Sequence, residues 1–369
     1  MLKGIMWKRV GLFLSLILLW GLLAGCGFQK GSGPASQGTA TRTLTDMAGR
    51  NVTVPKEINK VYCASPPGTL LLYTLAPEKM VGWNYELKPL EKKFILPSCR
   101  ELPNLGGWFA SNTGNPEEIL KIQPDVVLSI WFGDLGVAPE TETAGRLQEQ
   151  LGLPVVVIDA GLTNLDKTYE FMGELLGVKE RAQELALYCH QTIAGVQEKA
   201  KDIPPEKRVR VYYAEGADGL QTDPRGSQHS QVLDLVGGVN VAEVPQKSGA
   251  GMSPVSLEQV LNWNPDLIIT WSDNQGGAYK IITTDPKWQE IKAVRNKEVY
   301  QIPHAPFNWF DRPPSVNRVL GLKWLANLLY PDLFPGDIRQ EAREFYRKFY
   351  HYQLTEQEVN QLLVHSIRK

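Results

Sequence analysis

Two histidines, two arginines and a series of tryptophans fall on segments that read as loops, and these side chains are equipped to engage a solute. His229 lies in Gly226-Ser227-Gln228-His229-Ser230, and His304 follows a short apolar run. A histidine in such a place can ligate a metal, here only through a bound chelate, or donate to an anion; a lone histidine is more often structural. Arg312 stands in Phe307-Asn308-Trp309-Phe310-Asp311-Arg312-Pro313. Its planar fork can clamp a carboxylate or oxyanion, and it can equally pair with Asp311 or cap a helix starting near Pro313. Arg225 is a second cation of the same kind. Trp83, Tyr85, Trp108, Trp131, Trp271, Phe307, Trp309 and Phe310 offer flat faces for stacking, although any of them can instead fill the core. Trp263 and Trp324 fall on helical stretches and read as core, and no axial pattern singles out Tyr62 or Tyr85 for haem iron.

Several chemistries are excluded. The chain has no G-x-S-x-G elbow and no H-E-x-x-H pair, so no catalytic residues are assigned and an enzyme is not expected. Its four cysteines, Cys26, Cys63, Cys99 and Cys189, form no C-x-x-C pair, which argues against a thiolate metal site and against any intrinsic cofactor held that way. With 39 basic and 40 acidic residues there is no basic stripe for nucleic acid.

The elements that must carry these loops repeat. Asn115-Pro116-Glu117-Glu118-Ile119-Leu120 leads to Pro124-Asp125-Val126-Val127-Leu128, and Ser256-Leu257-Glu258-Gln259-Val260-Leu261 leads to Pro265-Asp266-Leu267-Ile268-Ile269. Each has a capping residue, a short helix with a glutamate at its second position, then a Pro-Asp turn into a wholly apolar strand. Apolar residues on both faces suit a parallel sheet covered by helices. The fold class is therefore α/β with two Rossmann-like lobes. Further strands are expected at 60–64, 154–159, 208–214 and 299–302.

Between the lobes, Ala182, Leu185, Ala186, Cys189, Ile193, Val196 and Ala200 recur at helical spacing until Pro204-Pro205 stops the run. The spacing predicts one long backbone helix over 178–203, joining a first lobe at 42–177 to a second at 204–369. The last segment, 337–369, reads as helical and as packing on the second lobe. Ligands of open α/β sheets gather beyond the carboxyl ends of the strands. That rule selects Ser65 and Pro66, Trp83, Asn84 and Tyr85, Gly107 and Trp108, and Trp131 in the first lobe. In the second it selects His229, Trp271, His304, Trp309 and Arg312.

The chain opens with Lys3, Lys8 and Arg9 and an apolar run, 10–23, too short to span a bilayer comfortably. That pattern predicts a signal peptide over 1–25. The run ends in Leu23-Ala24-Gly25-Cys26, which resembles the bacterial lipobox. The resemblance implies lipidation of Cys26 and an extracytoplasmic protein anchored to a membrane. A Gly/Ser/Gln/Thr-rich stretch over 26–41 then serves as a flexible tether.

Taken together, the hairpin-like opening Thr45-Asp46-Met47-Ala48-Gly49-Arg50-Asn51-Val52-Thr53-Val54-Pro55, the segment Leu235-Val236-Gly237-Gly238-Val239-Asn240-Val241-Ala242 and the long linking helix resemble the class III periplasmic binding proteins. Membership of that family implies a monomeric substrate-binding protein serving an ABC permease and its ATPase. It also implies a metal chelate, such as a ferric siderophore or haem, in the inter-lobe cleft. Molybdate or tungstate, or cobalamin, is the alternative solute. The resemblance assigns Glu117 and Glu258 to permease docking, where a helix-dipole role is the plainer alternative.

Overall fold

The computed structural model describes residues 40–109, 112–136, 138–139, 141–247 and 251–368. The expected signal peptide, Cys26 and nearly all of the tether lie outside those residues.

An antiparallel hairpin of β1 (Thr41–Thr45) and β2 (Asn51–Pro55) comes first. Its turn is fixed by one buried carboxylate. Asp46 accepts from the amides of Ala48, Arg50 and Val157 and from the Arg50 guanidinium, at 2.8–3.1 Å. The hairpin is thereby riveted to the edge of the first sheet.

That sheet is parallel, in the order β3 (Val61–Cys63), β4 (Val126–Trp131), β5 (Val155–Asp159). Val126, Val127, Leu128, Val155 and Val156 are wholly buried, as apolar runs with both faces covered require. The second sheet draws on β6 (Arg210–Ala214), β8 (Val239–Asn240), β10 (Leu267–Thr270) and β11 (Val299–Gln301) in the parallel order β11-β10-β6-β8. A small antiparallel ribbon of β7 (Gln221–Thr222) and β9 (Ser253–Pro254) lies beside it.

One helix, Lys179–Lys201, joins the two halves. Its 23 residues make a rod of about 34 Å. It packs on Leu165–Leu176 from the first lobe and on Asn317–Leu329 from the second.

The C-terminal segment corrects an expectation. Instead of packing on the second lobe alone, it wedges between both. Helix Ile338–Phe345 runs into a wider π-type turn, Tyr346–Tyr350. Phe349 meets Tyr169 and Tyr188, Tyr346 meets Phe94, and the Tyr73 hydroxyl donates to the Tyr350 carbonyl at 3.3 Å. From the second lobe, Phe307 and Trp309 close on Tyr350 and Tyr346. Lys93 pairs with Glu358 at 2.7 Å, and Arg181 donates to the Lys348 carbonyl. The sequence showed the apolar stripe but not its partner, because a stripe has no address. The two lobes consequently share one apolar core, and residues 40–369 form one compact unit.

Candidate functional site

The same local device recurs in each lobe, at the amino ends of its strands. Asn115 and Ser256 cap their helices by accepting from the amides of Glu118 and Gln259. Those helices end on left-handed residues, Gln123 (φ 54°) and Asn264 (φ 42°), one residue before the proline. Asp125 then clasps the start of β3: its amide donates to the Lys60 carbonyl at 2.8 Å and its carboxylate accepts from the Lys60 amide at 2.8 Å. Asp266 treats Arg210 alike, at 2.8 and 3.0 Å. Lys60 and Arg210 return side-chain bonds to the helix-end carbonyls of Ile122 and Trp263. Two residues on, Tyr62 and Tyr212 each donate to a loop carbonyl, Gly106 and Gly219, at 2.8 Å. Register at the amino ends of the strands is thus fixed, and the loops at the carboxyl ends are held in place.

Beyond β3, Ser65 precedes helix Pro66–Leu75, whose first two residues are prolines and need no amide partner. The Ser65 Oγ is buried and has no hydrogen-bond partner among the described residues. Asn84 spends its whole amide on the scaffold. It donates to the carbonyls of Cys63 and Gly106 at 2.8 and 2.9 Å and accepts from Thr69 at 2.6 Å. It therefore ties two loops together and has nothing left for a solute. Gly107 lies where a Cβ would come within 2.6 Å of the Ala64 carbonyl, so only glycine fits. Trp108 is half-buried, edge-on to Tyr62, and Trp131 is half-buried at the end of β4. Tyr85 is also half-buried, and burial pushes its hydroxyl pKa upward.

Two expected ligand contacts are corrected. Trp83 is buried with its indole N–H on the Cys99 carbonyl at 2.7 Å, against Tyr73 and Phe307. Trp309 is equally buried, beside Tyr346. Both belong to the core between the lobes.

In the second lobe the loops carry charge. Arg312, read as an anion clamp or as a partner of Asp311, is enclosed by carboxylates, Asp311 among them. Its Nε and Nη2 donate to Glu215 Oε1 at 3.0 and 2.9 Å, Nη2 also to Asp223 at 2.8 Å, and Nε lies 3.2 Å from Asp311. The guanidinium also sits over the Trp271 ring, 5.7 Å from its centroid, while the Trp271 N–H donates to Tyr213. His229 places Nδ1 2.7 Å from the other Asp311 oxygen. Asp223, His229 and Asp311 bring ligand atoms within 4.8 Å of one another. That trio does not fit a metal ion, because Arg312, Ser227 and the Met252 amide already occupy its oxygens. His304, buried like His229, differs in that its Nδ1 has no partner among the described residues, and burial, helped by Lys88, pushes its pKa down to about 4. Ser272, after β10, also has a buried hydroxyl without a partner.

A latch that sequence reasoning missed crosses between the lobes. Gln231 donates to Asp134 of the first lobe at 2.7 Å and accepts from Arg318 at 2.8 Å. Arg318 reaches the Ala160 carbonyl of the first lobe at 3.4 Å and lies over Phe132. Burial pushes the Arg318 pKa down to about 10. An arginine inside the apolar run Val316 to Leu329 was the available signal. Glu117 and Glu258 are exposed on the first turns of their helices, at matched positions, and form no ion pair among the described residues. No described helix is long and apolar enough to cross a membrane.

Residues 69–306 match the family described as periplasmic binding protein. The molybdate-binding protein MolA of Haemophilus influenzae is 28% identical, over 84% of this chain and 91% of that protein. The iron(3+)-hydroxamate-binding protein FhuD of Bacillus subtilis is 23% identical, over 85% of this chain and 96% of its own. Among solved structures, an ABC transporter solute binding protein from Sulfurospirillum deleyianum superposes with a TM-score of 0.81 at 31% identity, covering 88% of this chain and 99% of that one. All three are described as binding proteins, the last as that of an ABC transporter.

Proposed function

The chain belongs to the periplasmic binding protein family and is a substrate-binding protein of an ABC importer, and from that premise we propose that its solute is a metal chelate, a ferric siderophore or haem. One observation carries this reading. The half-buried Trp108 ring shares the strand ends with buried polar atoms that lack partners among the described residues, Ser65 Oγ, Ser272 Oγ and His304 Nδ1. A solute with a polar metal centre and a flat apolar periphery satisfies both kinds of surface. An oxyanion such as molybdate is the second reading, favoured by the relationship to the molybdate-binding protein. Neutral donors alone can hold an oxyanion, but they leave the Trp108 ring unused.

A thermal-shift series with ferric trihydroxamate, haem, cobalamin, molybdate and tungstate decides between them. A true solute at 100 times its Kd should add about 2.7 kcal/mol of stability. A shift with molybdate or tungstate and with no chelate hands the site to the oxyanion reading. We further propose that Cys26 carries a lipid anchor. Cys26→Ser should move the protein from the membrane to the soluble fraction; unchanged membrane retention rejects the anchor.

A further inference from the structure

We infer that Gln231 is a positioning residue for solute capture: its amide stands as a spacer between Asp134 of the first lobe and Arg318 of the second, and so sets the separation of the loops that face each other across the lobes. The inference rests on the two-lobed binding-protein fold and holds for a chelate and an oxyanion alike.

The spacer joins loops at the strand ends. Asp134 lies in the turn Gly133–Leu135 that follows β4, and Gln231 opens the helix Gln231–Leu235, two residues after His229. The charged groups it separates are both incompletely satisfied. Arg318 is wholly buried and forms no ion pair among the described residues, although Asp134 and Asp311 both act on it. Asp311 is taken by His229 and Arg312. The nearest acceptor of Arg318 is neutral, Gln231 Oε1 at 2.8 Å, while the carbonyls of Ser315, Gln228 and Ala160 lie at 3.4–3.5 Å. Asp134 loads a single oxygen: Oδ2 accepts from Gln231 at 2.7 Å and from the amide and hydroxyl of Thr163 at 3.0 and 3.3 Å. Its Oδ1 is buried with no partner among the described residues, and it abuts Gly161, where a Cβ would come within 2.4 Å of it. Arg318 reaches the carbonyl of the preceding residue, Ala160. The idle oxygen and the guanidinium thus converge on one turn of the first lobe, with one amide between them.

A buried cation served by neutral acceptors is weakly compensated, and a forked guanidinium–carboxylate pair is the stronger arrangement. The lobes do not reach it because the Gln231 amide fills the gap and bonds both ends at once. Gln231→Ala removes the spacer, so the pair forms directly and the lobes approach by one hydrogen-bond length, about 3 Å. Gln231→Glu does the opposite: it keeps the bond to Arg318 and repels Asp134. A tie that only held the lobes together would loosen in both variants.

The test is the distance between spin labels at Glu117→Cys and Glu258→Cys, both exposed, in the full chain carrying Cys26→Ser; Cys63, Cys99 and Cys189 are buried. Pulsed resonance should show the distance shortened by about 3 Å in Gln231→Ala and lengthened in Gln231→Glu. A double-mutant cycle of Asp134→Asn and Arg318→Gln, followed by urea unfolding, supplies the second readout. Their coupling should be about tenfold larger, in the unfolding constant, with Gln231→Ala than with Gln231 in place. If Arg318→Gln does not fold, the distances decide alone. Lengthening in both variants, or an unchanged distance in Gln231→Ala, overturns the spacer and leaves the binding-protein assignment standing. A coupling no larger in the Gln231→Ala background overturns it as well.

Discussion

His304 sits nine-tenths buried with an unpartnered Nδ1, and burial holds its pKa near 4 instead of 6.5. Between those values the unfolded chain binds a proton on this residue and the folded protein does not. Folding is therefore progressively opposed as pH falls from 6.5 toward 4, by up to roughly 3 kcal/mol. His304→Gln should lose less stability than wild type between pH 7 and pH 4 in urea unfolding; equal losses would mean that the imidazole titrates normally. Arg312 shows the opposite case. Its residue type suggested an anion clamp, yet its geometry commits the fork to Glu215, Asp223 and Asp311. Pairing with the neighbouring Asp311 was legible in the sequence, but Glu215 and Asp223 come from loops 97 and 89 residues away.

The repeated helix–turn–strand unit was the most legible element. Cap, proline, aspartate and apolar strand are all local features, and the structure realises each twice. What the spacing did not convey is the purpose of the aspartate, since its partners lie in a strand that comes earlier in the chain. Asp125→Ala and Asp266→Ala should each cost about 1.5–3 kcal/mol, the worth of a charge-assisted hydrogen bond to backbone amides, measured by urea unfolding. A loss below a few tenths would show that these clasps form only after the sheet is stable without them. Trp83 and Trp309 were misplaced at this scale: both follow strand-like segments, but the loops that hold them turn inward to the shared core.

At the scale of the molecule, the Asp134–Gln231–Arg318 latch and the C-terminal aromatic wedge tie the lobes together besides the linking helix. Phe349→Ala removes a fully buried ring between Tyr169 and Tyr188 and should cost about 3–5 kcal/mol. It should also broaden the scattering envelope of the solute-free protein; a destabilised variant with an unchanged envelope would show that the rod alone fixes lobe spacing. Glu117 and Glu258 are proposed as the paired contacts to the permease. Glu117→Lys with Glu258→Lys should abolish uptake while leaving solute affinity within about twofold, because exposed charges steer and register a complex. Retained uptake would reduce both residues to helix-dipole partners.

By itself the sequence determined the α/β class, the twofold repeat and the long connector, because helix caps, strand apolarity and helical periodicity are local and cooperative over a few turns. It also determined which segments lie at the strand ends. Only the tertiary structure decided which of those side chains remain available to a solute. Availability depends on partners brought from distant segments: the carboxylates enclosing Arg312, the Cys99 carbonyl beneath Trp83, and the C-terminal rings that join two lobes into one core. A side chain's chemistry is written in its residue type, but whether that chemistry is already spent is settled only when the chain closes on itself.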